Sequence, residues 1–174
     1  MEHRVPHKMP HTMLLHGLGQ SSDSWKQVID CLPTEQKEEL HTPDLFTLTE
    51  EISYEGLYRG WEQSCQKLPG RLHLCGLSLG AVLALDYTIR YPQRVESLVL
   101  IAGQYRSPKF LLSVQSLLFS LMPASNFAQL GISKEQMLRL NRSMIPLDLS
   151  RQLSTVRCPV LLLCGEQDKV NRKA

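Results

Sequence analysis

The 174-residue chain has no apolar run approaching the ~18 residues that a membrane span requires. Its first ten residues, Met1 to Pro10, are polar and lack the apolar centre of a secretion signal, so a cytoplasmic location is expected. No CxxC pair occurs, and the five cysteines (Cys31, Cys65, Cys75, Cys158, Cys164) are odd in number, which excludes a disulfide framework and a zinc ribbon. Cys75 and Cys164 stand in apolar runs and are expected to be small buried side chains rather than reactive thiols. An excess of charge is also lacking. The net charge of +2 is scattered in both signs, too little to attract nucleic acid or an anionic membrane surface. Internal repeats and low-complexity segments are absent. What is present is 43% apolar and 21% charged residues, an ordinary globular balance at a length that fits one domain.

Apolar runs and turn residues alternate along this length. Thr12–Leu15 reads as a short buried strand closed by His16-Gly17, after a loose lead-in holding Pro6 and Pro10. Ser22–Leu32 reads as a helix stopped by Pro33, Leu40–Leu45 as a weak strand, and Tyr54–Leu68 as a helix ended by Pro69-Gly70. Arg71–Cys75 is a strand, Ala81–Tyr91 a helix stopped by Pro92, and Val95–Ala102 a nearly continuous apolar strand, as expected when both faces are covered. Val156–Cys164 is another such strand. This alternation predicts an α/β fold with a mostly parallel sheet and flanking helices. Residues 103–155 break the rhythm. Pro108–Leu112, Leu117–Met122 and Ile132–Leu140 predict two or three short helices, taken as a small lid that roofs a pocket; the plainer alternative is that they only extend the core.

The strongest chemical signal is Gly76-Leu77-Ser78-Leu79-Gly80, a G-x-S-x-G pentapeptide that closes a strand and opens a helix. Such a serine sits on a tight, strained turn, flanked by glycines because backbone must pass close on both sides. The turn lifts the hydroxyl above the sheet edge and points the first helical amides at the space beside it. A second turn, His16-Gly17-Leu18-Gly19, closes the first strand. With these two turns the chain resembles the α/β-hydrolase superfamily of serine esterases and lipases. Ser21–Trp25 after the first turn and Tyr91-Pro-Gln-Arg-Val95 after the helix add to the likeness. The resemblance implies Ser78 as nucleophile and the backbone N–H groups of Leu18 and Leu79 as the oxyanion hole, with His16, Gly17, Gly76 and Gly80 in support. A competing reading takes Gly17-x-Gly19-x-x-Ser22 as a dinucleotide fingerprint with Asp44 as ribose acid. It lacks the third glycine and explains neither His16 nor the turn at Ser78.

By the same resemblance the G-x-x-D turn at Gly165–Asp168 presents the triad acid, with Asp168 preferred over Glu166, and Asn171 adds to the match. The alternative is that Asp168 only caps the next helix, since Asp favours N-caps. The family order then asks for a histidine, but all six (His3, His7, His11, His16, His41, His73) precede Ser78. His3, His7 and His11 have metal-like i, i+4 spacing, which Pro6 and Pro10 turn into a mobile tail. His73 lies five residues up its own strand from Ser78, ~16 Å away at ~3.3 Å per residue. The resemblance covers Met13 to Ala174 but only the front of a complete member. The expectation is therefore a core of residues 1–102 and 156–174 lacking the family's last strand and helix, with 103–155 as lid. The last strand would be an uncovered edge able to self-associate. The implied activity is hydrolysis of a small hydrophobic acyl ester, without metal or cofactor, impaired here by the missing base. The alternative is a non-catalytic ligand-binding or interaction protein on the same fold.

Overall fold

The computed structural model describes residues 10–107, 109–128, 131–168 and 171. His3, His7 and Pro6 of the expected tail and Pro108 of the expected lid lie outside the described residues. The chain builds a five-stranded sheet in the order β2-β1-β3-β4-β5, from β1 (His11–Leu15), β2 (Leu40–His41), β3 (Leu72–Leu77), β4 (Val95–Ile101) and β5 (Val160–Leu163). Every pairing is parallel, as the alternation predicts. Parallel strands need crossovers, supplied here by α1 (Lys26–Asp30) and α2 (Thr34–Lys37), α3 (Tyr54–Gln66), α4 (Leu79–Arg90), and the group α5 (Lys109–Leu121), α6 (Ser125–Ala128) and α7 (Lys134–Met144).

The core explains these choices. In α3 the Ser53 hydroxyl accepts the Gly56 N–H, and Tyr54, Leu57, Tyr58, Trp61 and Cys65 recur at helical spacing on the buried face. In α4 every residue from Leu79 to Thr88 is buried, so the helix is the central strut of the molecule. Its one buried acid, Asp86, accepts from the Tyr54 hydroxyl at 2.9 Å and from Arg90 at 2.8 and 3.1 Å. Burial and then Asp86 push the Tyr54 hydroxyl well above the usual phenol range, so it remains a donor.

Several expectations are corrected. The helix expected over 22–32 is a 3-10 turn at Ser22–Trp25 followed by the short α1, and Pro33, expected to stop that helix, stands at the N-cap of α2. The weak strand over 40–45 shrinks to Leu40–His41, because Asp44 turns the chain by accepting the Phe46 N–H. The first two lid segments merge into the single helix α5. His11 is no tail residue; it opens β1 and is buried. Cys164 is exposed, not buried, because β5 has no described helix against its outer face. The strand itself begins only at Val160, and its four residues are 44%, 53%, 71% and 43% exposed.

Residues 103–149 leave the sheet and return to it at one place. The Leu149 N–H donates to the Tyr105 carbonyl at 2.8 Å, the Ser107 N–H donates to Leu147, and Arg106 bridges to Asp148. Buried Asn141 of α7 donates to the Leu112 carbonyl and the Ser116 hydroxyl of α5. Leu112, Phe127, Ile132, Met137, Leu140 and Met144 of this excursion belong to the same buried cluster as the sheet, so it shares the main core.

Candidate active site

Parallel strands place their C-terminal ends at one sheet edge, where ligands of open α/β sheets bind. β1 and β3 run side by side with Leu15 opposite Gly76, so the turns that follow them become neighbours. A Cβ added to Gly17 would sit 3.4 Å from the Ser78 Cβ and 3.3 Å from the Leu77 carbonyl oxygen. The two motifs, sixty residues apart in the chain, are thus brought into van der Waals contact.

The turn at Ser78 is strained as its motif predicts. Ser78 has φ 52° and ψ −109°, a region that non-glycine residues occupy at a cost of about 1–3 kcal/mol. The surroundings enforce it: the Ser78 N–H donates to the Ile101 carbonyl at 2.8 Å, and its carbonyl accepts the Val82 N–H. The flanking glycines are steric necessities. A Cβ on Gly76 would lie 2.3 Å from the Gly80 backbone, and one on Gly80 2.3 Å from the Leu15 carbonyl oxygen. Leu79 is the first residue of α4, so its amide is among those that have no intrahelical acceptor. Beside the turn, burial pushes the Cys75 thiol up to about 11, which keeps it protonated near neutral pH.

His16 is fully buried. Its Nε2 accepts the Leu45 N–H at 3.0 Å, which places the proton on Nδ1, 2.9 Å from the Gly17 carbonyl oxygen. Both nitrogens are occupied, so His16 braces the turn and has no lone pair to offer a serine. The Gly17 N–H donates to the Gln20 side chain at 2.8 Å, and Gly19 adopts φ +77°, a left-handed conformation natural to glycine.

Asp168 lies at the other side of the edge. Its Oδ1 accepts the Asn171 N–H at 3.0 Å and its Oδ2 the Asn171 side-chain amide at 2.6 Å. The capping role weighed for Asp168 is therefore present in the geometry. Asn171 in turn accepts from Gln104 Nε2 at 2.8 Å. Gln104 and Asn171 line a cavity of about 190 Å³ together with Ser78, Leu79, Ala102 and Met144. Leu112 and Gln115 of α5 also line it, so the excursion contributes to the wall of the serine's cavity. A larger, more apolar hollow of about 560 Å³ adjoins this cavity along β5 and shares Ala102, Gln104 and Asn171, but Ser78 is not on its wall.

The remaining described histidines are elsewhere. His73 hydrogen-bonds the Ser97 hydroxyl at 2.7 Å on the neighbouring strand, and His11 contacts His41 across β1 and β2. Among the described residues no histidine contacts Ser78 or Asp168. Gln20, Gln104, Gln115 and Ala102, the last at φ 49°, join the site without a sequence motif. Gln104 and Ala102 had one available signal: they follow directly on a parallel strand, at the edge where such sheets bind ligands.

A five-stranded parallel sheet that delivers a glycine-flanked serine turn and a histidine–glycine turn to one edge defines the hydrolase class of α/β folds. The sequence model of the alpha/beta hydrolase family matches residues 13–174, and the chain belongs to that family. Two curated proteins are similar over part of their length. The pimeloyl-(acyl-carrier protein) methyl ester esterase of Nitrosomonas europaea is 34% identical over 96 residues, 54% of this chain and 37% of the relative. The Aeromonas hydrophila enzyme of the same name is 30% identical over 107 residues, 59% of this chain and 40% of the relative. The matched stretches thus span well under half of these relatives. Among solved structures, a thermophilic esterase from Thermogutta terrifontis superposes with a TM-score of 0.71 at 21% identity, covering 94% of this chain and 74% of that one. A hydrolase from Pseudomonas aeruginosa gives 0.70 at 18%, covering 93% and 74%. No described helix is long and apolar enough to cross a membrane.

Proposed function

We propose that the chain carries the nucleophile and oxyanion-binding half of a serine ester hydrolase. The observation that supports this most is the strained Ser78 turn, held against the His16–Gly17 turn and opening into the roofed cavity. In this reading the Ser78 Oγ attacks the carbonyl carbon of an ester while its proton passes to a base. The oxyanion that forms is held by the amides of Leu18 and Leu79, worth several kcal/mol when such donors are preorganised. Collapse of the tetrahedral intermediate releases the alcohol, which takes the proton, and water then hydrolyses the acyl-enzyme. Asp168 is the acid that would orient the base, and α5 to α7 form the lid. Leu79, Val82, Leu112 and Met144 on the wall of the small cavity suit a short apolar acyl group, with Gln104, Gln115 and Asn171 offering polar contacts. The methyl ester esterase names of the two curated relatives support trying simple alkyl esters of carboxylic acids first.

The base has no occupant among the described histidines, so these 174 residues by themselves are expected to hydrolyse esters poorly. The test is labelling with a fluorophosphonate, read by intact mass, with Ser78→Ala as control. It is performed on the chain alone, with added imidazole, and with a histidine-bearing segment joined after Ala174. Little labelling alone and Ser78-dependent labelling and methyl-ester turnover with the segment are expected. No Ser78-dependent label or turnover under any condition would overturn the assignment. Tight binding of an acyl ester by calorimetry without turnover would favour the second reading, a ligand-binding protein on this fold, which the local capping of Asn171 by the Asp168 carboxylate supports.

A further inference from the structure

We propose that His11, Glu39 and His41 form a binding site for a borderline-soft divalent cation, with Zn²⁺ the best match, which ties the edge strand β2 to β1. The three residues come from two strands and the residue preceding the second, yet their ligand atoms all lie within 4.8 Å of one another. His11 Nδ1 is 2.6 Å from a Glu39 carboxylate oxygen and 3.0 Å from His41 Nε2. One proton on that nitrogen can serve only one of these two acceptors, whereas a shared cation takes a lone pair from each of the three groups. Ligand atoms around a tetrahedral zinc with ~2.0–2.1 Å bonds stand about 3.3 Å apart, so admitting the ion opens the 3.0 Å His11–His41 separation by ~0.3 Å and the 2.6 Å His11–Glu39 separation by ~0.7 Å. Two imidazoles and one carboxylate, with the fourth position left to water, form an established zinc ligand set, and the imidazoles disfavour Mg²⁺ and Ca²⁺.

The buried ring of His11 faces Glu39 and His41 with Nδ1, while its Nε2 has no hydrogen-bond partner among the described residues. The ring's polar contacts therefore all point into the cluster. The location gives such an ion a purpose. β2 is two residues long, with Leu40 and His41 registered on Thr12 and Met13 and the Thr12 N–H donating to the Glu39 carbonyl at 2.8 Å. An ion held from both strands would cross-link the shortest pairing in the sheet. Four residues beyond β2 the Leu45 N–H meets His16, so a firmer β2 also firms the support of the His16–Gly17 turn. The cluster lies at the opposite end of β1 from that turn, which makes it a stabilising site and not a participant in chemistry at Ser78.

Titration of the apo chain with Zn²⁺ by calorimetry, and with Co²⁺ by visible absorption, tests this. One equivalent of each is expected to bind, Co²⁺ with the intense bands of tetrahedral coordination, and Zn²⁺ is expected to raise Tm. Since loss of even an outer-shell partner typically costs about 10–100-fold in affinity, His41→Ala and Glu39→Gln are each expected to lose at least that much. Both positions are partly exposed, and a retained cooperative thermal transition shows that the variants fold. His3→Ala/His7→Ala is expected to bind like the parent. No stoichiometric binding by the folded parent, or binding lost in His3→Ala/His7→Ala but kept in His41→Ala, would overturn the proposal.

Discussion

At the scale of single residues, glycines carry the geometry, and they do so for two different reasons. Gly80 lies where α4 crosses β1, with backbone atoms of Leu15 at 2.3 and 2.6 Å from the position a Cβ would take. Backbone cannot step aside as a flexible side chain can. Gly80→Ala is expected to cost at least about 2 kcal/mol in urea unfolding, within the range of overpacked sites, and to shift the Ser78 turn. Gly19 has φ +77° and nothing within 4 Å of the place a Cβ would occupy, so only the conformational penalty applies. Gly19→Ala is expected to cost about 1 kcal/mol. Equal losses at the two positions would refute this division. The cysteines divide by environment in the same way. Cys31 and Cys164 are exposed while Cys65 and Cys158 are buried, so a maleimide is expected to add to the first two alone in the folded chain within the time that Cys75 remains unlabelled, as read by peptide mass.

At the scale of elements, the excursion over the site is held by polar fastenings in an apolar frame. α7 begins with a full capping box: the Ser133 hydroxyl accepts the Gln136 N–H, and the Gln136 side chain accepts the Ser133 N–H. Its buried face, Met137, Leu140, Asn141 and Met144, then packs on α5 and the main core. A helix that shares the main core unfolds with it, so Ser133→Ala is expected to lower global stability by about 1 kcal/mol. Were the excursion an independent flap, the global transition would not move and only amide exchange in α7 would quicken. Strong periodicity made α3, α4 and α7 legible in advance. Their ends were less so. Pro33 stops one helix and opens another, and the apolar run at 40–45 is cut short by the side chain of Asp44, a local bond that hydropathy does not register.

At the scale of the whole molecule, β2 and β5 are the two edges of the sheet among the described residues, and β5 is the longer one. β5 is apolar throughout, pairs only with β4 among the described strands, and leaves Leu162 71% exposed beside the hollow of about 560 Å³. Unpaired apolar edges template further pairing. The chain is expected to self-associate in light scattering at raised concentration, and Leu162→Lys to shift it toward monomer with an unchanged far-UV spectrum. Persistent association of the variant would move the contact elsewhere, with exposed Leu117, Leu118 and Leu121 of α5 the next surface to change.

Fold class, parallel sheet and serine turn were all legible in the order of the residues, because period, turn residues and glycine spacing are local properties that no distant partner can alter. The His16–Gly17 turn and the capping-compatible Asp168 were legible for the same reason. Which groups meet was settled by packing alone. Folding occupied both nitrogens of His16, turned Asp168 toward Asn171, and brought Gln104 and Gln115 to the cavity that Ser78 lines. It also gathered His11, Glu39 and His41, whose convergence depends on a two-residue strand. The Asp168–Asn171 and His16–Gly17 bonds are local; the other contacts cross tens of residues of chain, and their distances follow from strand register and helix packing rather than from any spacing along the sequence.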